Sequence, residues 1–152
     1  MSSDYVVQYK HTWIENNCLF IKMEFCSDNL KNIMALKEKC FDKKSNQMMH
    51  SIDYFISCEL LKELTECVQY LHESNPPVIH RDLKPENVLI TNNNKTNGRF
   101  LKICDFGLVT DQQLESMSHT IGLGSPKYMA PEVNNSRYTN IADIYRDRKS
   151  VV

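Results

Sequence analysis

A short polar stretch carries the residues best suited to chemistry. Residues 80–87 read His-Arg-Asp-Leu-Lys-Pro-Glu-Asn, in which Asp82, Lys84 and Asn87 offer a carboxylate, an ammonium and an amide oxygen. A second carboxylate, Asp105, follows further along the chain. Phosphoryl transfer passes through a loose, charge-rich transition state, which such groups, arranged around hard cations, position and stabilise. The alternative interpretation is that both aspartates only form turns, where Asp is common.

Three short motifs occur in a fixed order along the chain. Residues 80–87 come first, Asp-Phe-Gly follows at residues 105–107, and Ala-Pro-Glu follows at residues 130–132. A three-letter match alone is weak, but an ordered set in the expected contexts argues against chance. Residues 111–126, between the last two motifs, are polar and show no periodicity, and long irregular segments in compact domains are usually functional.

On these motifs the chain resembles the eukaryotic protein kinases, over about residues 4–146. The resemblance implies an α+β, protein-kinase-like fold with a mostly helical large lobe and only the last strands of the small lobe. It also implies transfer of phosphate from ATP, with Mg²⁺, to a protein substrate. Lys84, placed three residues before Asn87, is the family's mark of serine/threonine specificity.

The resemblance assigns a role to each polar group of the central motifs. Asp82 would orient the substrate hydroxyl and accept its proton, and Lys84 would neutralise the transferring phosphate. Asn87 would hold one magnesium ion, and Asp105 would chelate magnesium that bridges the ATP phosphates. We therefore predict that these four side chains lie together.

A second set of residues is expected to surround the adenine. Residues 19–26 resemble the strand that leads into the hinge between the lobes, with Met23 as the gatekeeper. The backbone from Glu24 to Cys26 would hydrogen-bond the adenine, and Leu89 would touch its other face. The alternative for this stretch is a plain buried edge strand.

Regulatory and supporting residues follow from the same resemblance. Arg81 is suited to pair with a phosphorylated residue, for which Thr120 and Ser125 are the candidates. For Ser125 the alternative is a structural role without phosphorylation. For lone hydroxyls in a polar loop in general, the alternative is a side chain that only faces solvent. His80 and Phe106 would stack in the core column that links the two lobes.

Shorter strings point to a subfamily. Residues 9–15, 23–26 with 29–31, and 119–122 with 127–132 resemble the kinases of the translation initiation factor 2 alpha subunit, which restrain translation under stress. NIMA-related kinases have overlapping patterns and stay open as an alternative. A non-catalytic, kinase-derived regulatory module is the alternative from another class, although a scaffold has no physical need to keep magnesium ligands.

Composition sets broad limits on the protein. The 152 residues include 18 Lys and Arg against 19 Asp and Glu, a net charge of −1, with 41% hydrophobic residues. These values predict a folded domain, and neither a nucleic acid nor a membrane as partner. The first residues lack the basic-then-apolar pattern of a secretory signal peptide. No apolar run approaches the roughly 20 residues of a membrane span. Six cysteines without a C-x-x-C pair predict reduced, buried thiols. With no secretory signal they point to a reducing compartment, the cytosol or nucleus, and we predict a cytoplasmic location.

Hydrophobic periodicity predicts the elements that position the motifs. Apolar residues recur at helical spacing in the middle of the chain until Pro76 and Pro77 end the pattern. β-Branched and aromatic runs on either side predict two hairpins. The predicted strands cover residues 5–14 and 18–24, the helices residues 28–39 and 52–73, and the second pair of strands residues 88–90 and 100–104.

The resemblance also predicts a partial domain. Residues 4–26 would form the end of the small lobe and the hinge, and residues 27–146 an incomplete large lobe. The family's glycine-rich loop, phosphate-binding lysine and helix glutamate find no counterpart from residue 4 onward, so we expect the chain alone to be inactive. Residues 147–152 lose the resemblance abruptly and match one reading frame of a sequencing-library adapter, which predicts a non-native tail. A divergent or alternatively spliced end is the alternative.

Overall fold

An antiparallel hairpin of β1 (Tyr9–Glu15) and β2 (Cys18–Met23) opens the fold. The computed structural model describes residues 3–41, 51–91, 98–105, 110–111, 127 and 143–145. Asn16 and Asn17 connect the two strands with φ angles of 50° and 60°, a left-handed conformation that asparagine tolerates well. The predicted hairpin is therefore confirmed, although its first strand begins at Tyr9 rather than at residue 5.

Both faces of this hairpin are exposed to solvent along its whole length. On one face the rings of Trp13 and Phe20 stack with centroids 5.2 Å apart, and His11 stacks on Trp13. On the other face Ile14 and Ile21 are also exposed. The alternative of a buried edge strand is wrong, because none of the residues of β2 is buried.

The first helix is positioned by a short strand and a capping residue. β3 (Asp28–Asn29) precedes α1 (Leu30–Cys40), and the Asn29 side chain accepts a hydrogen bond of 3.0 Å from the Asn32 amide. Such a bond satisfies one of the free amides at a helix start. The helix predicted from residue 28 begins at Leu30 instead, because Asp28 and Asn29 pair with a strand.

The central helix is α2 (Ser51–His72), within one residue of its predicted limits. It buries Leu64, Cys67, Val68 and Leu71. In the part of the chain that the structure describes, neither α2 nor any other helix has an apolar stretch long enough to cross a membrane.

A small antiparallel sheet lies against α2 in the order β3-β5-β6. It joins β3 to β5 (Val88–Ile90) and β6 (Leu101–Ile103), which confirms the second predicted hairpin. The segment before β1 extends this sheet, because Val7 donates to the Ile103 carbonyl and Ile103 donates to the Tyr5 carbonyl, each at 2.9 Å. The start of the described chain is thus attached beside β6.

Two further short elements flank the polar motif. β4 (Val78–Ile79) pairs antiparallel with β7 (Thr110–Asp111), and a 3₁₀ turn spans Pro85–Asn87 just before β5. The polar motif therefore runs from one strand to another, with both of its ends fixed.

One hydrophobic cluster holds these elements together. It combines apolar residues of α1, α2, β5 and β6 with Leu83 from the polar motif. Because Leu83 is fully buried, the loop that carries the polar groups is attached to the core by its own side chain. The members are Leu30, Leu64, Cys67, Val68, Leu71, Leu83, Val88, Leu101 and Ile103.

The cysteines correct one expectation. All six are free thiols, but only Cys67 is buried. Cys26 and Cys104 are partly buried, and Cys18, Cys40 and Cys58 are exposed. The prediction that the thiols are buried is therefore wrong for those three, because β2 and the exposed faces of both helices carry them.

Candidate active site

The polar motif begins with three buried residues in a constrained backbone. His80, Arg81 and Asp82 are all buried, and Arg81 has a φ of 67°. A left-handed conformation costs a residue other than glycine about 1–3 kcal/mol, and it persists only where the surroundings enforce it. Asp105 has the same conformation, with a φ of 64°.

The enforcing group is the carboxylate of Asp143, which is completely buried. Its Oδ2 accepts a hydrogen bond of 2.7 Å from the His80 amide, and its Oδ1 accepts one of 3.0 Å from the Arg81 amide. His72, at the end of α2, places Nε2 3.1 Å from Oδ2. The described residues 143–145 are helical, so a carboxylate on helical backbone holds the amides of the polar loop.

Asp82 lies at the centre of the predicted catalytic group. Lys84 Nζ donates to Asp82 Oδ2 at 2.7 Å. Asn87 Nδ2 donates to the Asp82 carbonyl at 2.9 Å and reaches Oδ2 at 3.3 Å. The same amide group lies 3.5 Å from Oδ2 of Asp105. The structure thus brings together the four side chains that the motifs predicted as neighbours.

The electrostatics of the loop follow from these contacts. The hydrogen bond to Asp82 raises the pKa of Lys84, so the ammonium stays charged beside the carboxylate. Burial lowers the pKa of His80, against the opposing effect of its bond to the Cys104 carbonyl at 2.9 Å. Burial, followed by the charge of Asp105, raises the pKa of Cys104 to about 11. Near neutral pH the loop therefore holds a neutral imidazole and a charged lysine, beside the neutral thiol of Cys104.

Asn87 and Asp105 carry the oxygen atoms that suit a hard cation. Asn87 uses Nδ2 for its contacts with Asp82 and Asp105, which turns its carbonyl oxygen to the other side of the amide. Mg²⁺ is commonly held by one or two protein oxygens together with substrate phosphates and water. No cluster of three or more His, Cys, Asp or Glu side chains suited to a metal occurs among the residues that the structure describes, so a closed protein cage is absent from that part. The oxygen atoms of Asn87 and Asp105 therefore fit a magnesium ion that is shared with the phosphates of a nucleotide.

The residues predicted to surround adenine lie at the end of β2, in the link that follows it, and in the small sheet. Met23 ends β2 and is 48% exposed. Glu24 donates its amide to the Gln8 carbonyl at 2.9 Å. Leu89 lies in β5, the central strand, and is partly buried. We call residues 24–27 the hinge segment.

The end of the hinge segment is fixed to β5. Ser27 donates its amide to the Ile90 carbonyl at 3.0 Å. Burial, then the charge of Glu24, raises the pKa of Cys26. The hinge segment therefore runs past β5 toward α1, beside the strand that carries Leu89.

Other predicted residues lie outside the described residues. These are Phe106, Thr120, Ser125 and the Ala-Pro-Glu motif at residues 130–132. Arg81, the predicted partner of a phosphorylated Thr120 or Ser125, is described and buried. Its pairing with a phosphorylated residue stays a prediction.

Sequence reasoning missed several groups that position the site. The motifs assign no role to Asp143, and its contact with His72 joins residues 71 positions apart. The Glu24 carboxylate and Lys102 form a buried ion pair across a separation of 78 residues. Only the unusual placement of charged residues inside strongly apolar stretches could have pointed to them.

The fold and the grouped side chains define a phosphotransferase-like domain of the protein kinase class. The protein kinase domain family matches residues 1–146, and the chain belongs to that family. It is 42% identical over 129 residues to mitogen-activated protein kinase kinase kinase 7 of Drosophila melanogaster. It is 30% identical over 143 residues to the probable serine/threonine-protein kinase zyg-1 of Caenorhabditis elegans.

The coverage of these matches is strongly unequal. The alignments include 83% and 94% of this chain but only 16% and 18% of the two relatives. A chain in the crystal structure of the yeast RNA polymerase II CTD kinase CTDK-1 complex matches with a TM-score of 0.67 and 25% identity, over 97% of this chain and 43% of that one. These matches confirm the predicted α+β, protein-kinase-like fold and the resemblance to serine/threonine kinases. The predicted substrate remains a prediction.

Proposed function

We propose that the protein is a serine/threonine kinase that transfers the terminal phosphoryl group of ATP to a hydroxyl of a protein substrate. The observation that carries the proposal is the hydrogen-bonded group of Asp82, Lys84, Asn87 and Asp105. A buried loop holds this group in place, and preorganised charge is the main source of catalysis in phosphoryl transfer.

Each member of the group has a distinct task. Asp82 orients the substrate hydroxyl and accepts its proton as the oxygen attacks phosphorus. Lys84, kept charged by its bond to Asp82, faces the developing negative charge of the phosphoryl oxygens. Bound magnesium, held by Asn87 and Asp105, would supply neutralisation of the ATP phosphates.

For the substrate, we propose the translation initiation factor 2 alpha subunit, with restraint of translation under stress as the consequence and the cytoplasm as the location. The support is the set of short strings at residues 9–15, 23–26 with 29–31, and 119–122 with 127–132. A kinase of NIMA-related type would have another protein as substrate. A non-catalytic regulatory module would show no transfer at all.

The test is phosphate transfer from labelled ATP by the natural protein that contains this chain. Initiation factor 2 alpha and a general acceptor such as casein serve as substrates. We expect Asp105→Ala to abolish transfer, because a metal ligand is lost, and Glu38→Ala, which removes an exposed carboxylate of α1, to leave it unchanged. Transfer that survives Asp105→Ala would contradict the proposed chemistry, and transfer to casein alone would contradict the proposed substrate.

A further inference from the structure

A buried ion pair lies close to the candidate active site, outside the group assigned to phosphoryl transfer. Lys102 Nζ in β6 lies 2.6 Å from Glu24 Oε1, and the two side chains are only 3% and 14% exposed. Charged residues are seldom buried without a partner, and a buried pair is weak evidence for stability but can fix one arrangement of the chain.

The pair joins the two ends of the proposed nucleotide site. Glu24 is the first residue of the hinge segment, where adenine would bind. Lys102 precedes Asp105 by three positions on the strand that leads to the proposed metal ligand. A contact between them therefore sets the spacing between the adenine side and the phosphate side.

Further hydrogen bonds make the pair part of a closed arrangement. Glu24 Oε1 also accepts from the Gln8 amide at 2.8 Å, and the Glu24 amide donates to the Gln8 carbonyl at 2.9 Å. Lys102 Nζ donates to the Ser3 carbonyl at 3.1 Å. Three separate segments of the chain thus meet at one ammonium and one carboxylate.

The position of Cys26 supports the same geometry. The charges of Glu24 and Lys102 both act on the Cys26 thiol, the first raising its pKa and the second lowering it, in addition to the effect of burial. The pair therefore lies next to the backbone that the kinase resemblance assigns to adenine.

We propose that Lys102 and Glu24 form a clasp that holds the hinge segment at a fixed distance from Asp105 and so positions the nucleotide. This inference rests on the proposed function for its effect on nucleotide binding, whereas its effect on the hinge segment stands on the structure alone. Both residues are positioning residues, because they act through the backbone of the hinge and through β6. Loss of either charge leaves the other charge buried without its ion-pair partner. The hinge segment then shifts so that water can reach the remaining charge.

The experiment compares Lys102→Met, Glu24→Gln and the double variant with the natural protein. Hydrogen exchange of the amides at residues 25–27 and the affinity for Mg·ADP, by calorimetry, are the two measurements. We expect each single variant to speed exchange there and to weaken Mg·ADP binding by about tenfold, as small displacements of a binding group do. The double variant, which removes both charges, should recover part of each loss.

A surface pair provides the control. Lys62 and Glu59 of α2 lie 3.9 Å apart with their side chains mostly exposed, and Lys62→Met should change neither measurement. Faster exchange throughout α2 in Lys102→Met would indicate general destabilisation and overturn the positioning role. Unchanged hinge exchange would overturn the clasp, and unchanged affinity in a protein that binds Mg·ADP would overturn its effect on the nucleotide. A natural protein without Mg·ADP binding would contradict the proposed function, and hinge exchange would then decide the clasp alone.

Discussion

Asp82 illustrates how a short, polar loop can hold several charged and polar groups together. Lys84 and Asn87 follow it closely in sequence, and both donate to its carboxylate. The contacts need an unusual backbone, and Arg81 provides it with a left-handed conformation fixed by Asp143. The strain stored at that one residue is therefore part of what orients the carboxylate.

Replacement of Asp82 by Asn tests its proposed role as a base. The amide has the same shape and retains hydrogen bonding with Asn87 and Lys84, but it accepts a proton far less readily. We expect kcat to fall by about 10²–10⁴-fold with little change in the KM for ATP. Steady-state kinetics of the natural protein measure both constants. Unchanged kcat would exclude proton acceptance by Asp82.

His80 should make the stability of the chain depend on pH. Its pKa in the folded state is lowered from 6.5, chiefly by burial, although the charges of Asp143, Asp82 and Asp105 and the Cys104 carbonyl oppose the shift. Below pH 6.5 the unfolded chain therefore takes up a proton that the folded chain does not, and the free energy of unfolding falls by at most about 1.4 kcal/mol per pH unit. Above pH 6.5 this contribution is constant.

Urea denaturation between pH 7.5 and pH 5.5 measures this dependence. We expect His80→Gln, which cannot take up the proton, to show a shallower loss of the free energy of unfolding over this interval. The other titrating groups are common to both proteins, so the difference between the two curves isolates His80. Parallel curves would contradict the prediction.

Among the elements, α1 shows how one residue can serve two structures. The backbone of Asn29 pairs with Leu89 in the small sheet, while its side chain caps the helix. The start of α1 is thereby fixed to the strand that would contact adenine. Helix and site depend on the same residue.

The cap can be tested by substitution at Asn29. Asn29→Ala removes the acceptor for the Asn32 amide and should lower the free energy of unfolding by about 1 kcal/mol. Asn29→Asp retains an acceptor, so its free energy of unfolding should stay within a few tenths of a kcal/mol of that of the natural residue. Denaturation curves measure both, and equal stability of the alanine variant and the natural residue would show that the cap contributes nothing.

The elements were largely predictable, because local patterns encode them. The apolar spacing along α2 predicts its limits to within one residue, and the Asn16-Asn17 turn sets the first hairpin. Asp82 and Lys84 were predictable from their motif. The contacts of Asp143 with Arg81 and of Lys102 with Glu24 were not predictable. They span 62 and 78 residues and depend on how the whole chain packs.

For the whole molecule, Asp143 is the point where distant parts of the chain meet. It contacts His72 at the end of α2 and the amides of His80 and Arg81. Without the carboxylate, these buried donors would lose their acceptor, and each such loss costs about 1–3 kcal/mol.

Replacement of Asp143 should therefore affect global stability. We expect Asp143→Ala to lower the free energy of unfolding by at least about 3 kcal/mol, or to unfold the chain, and Asp143→Asn to have a smaller effect because one oxygen acceptor remains. Circular dichroism during thermal and urea denaturation measures the change, with the exposed Glu38→Ala as the control. A loss below about 1 kcal/mol for Asp143→Ala would contradict this role.

The burial of Leu83 has a consequence for how the site responds to heat. Its side chain belongs to the same hydrophobic cluster as Leu64 and Leu101, although in sequence it lies between Asp82 and Lys84 of the proposed catalytic group. The loop cannot open without exposing that cluster, so its loosening is part of cooperative unfolding rather than a separate local event. The proposed phosphoryl-transfer activity of the natural protein should therefore be lost in the same thermal transition as the packing around Leu83.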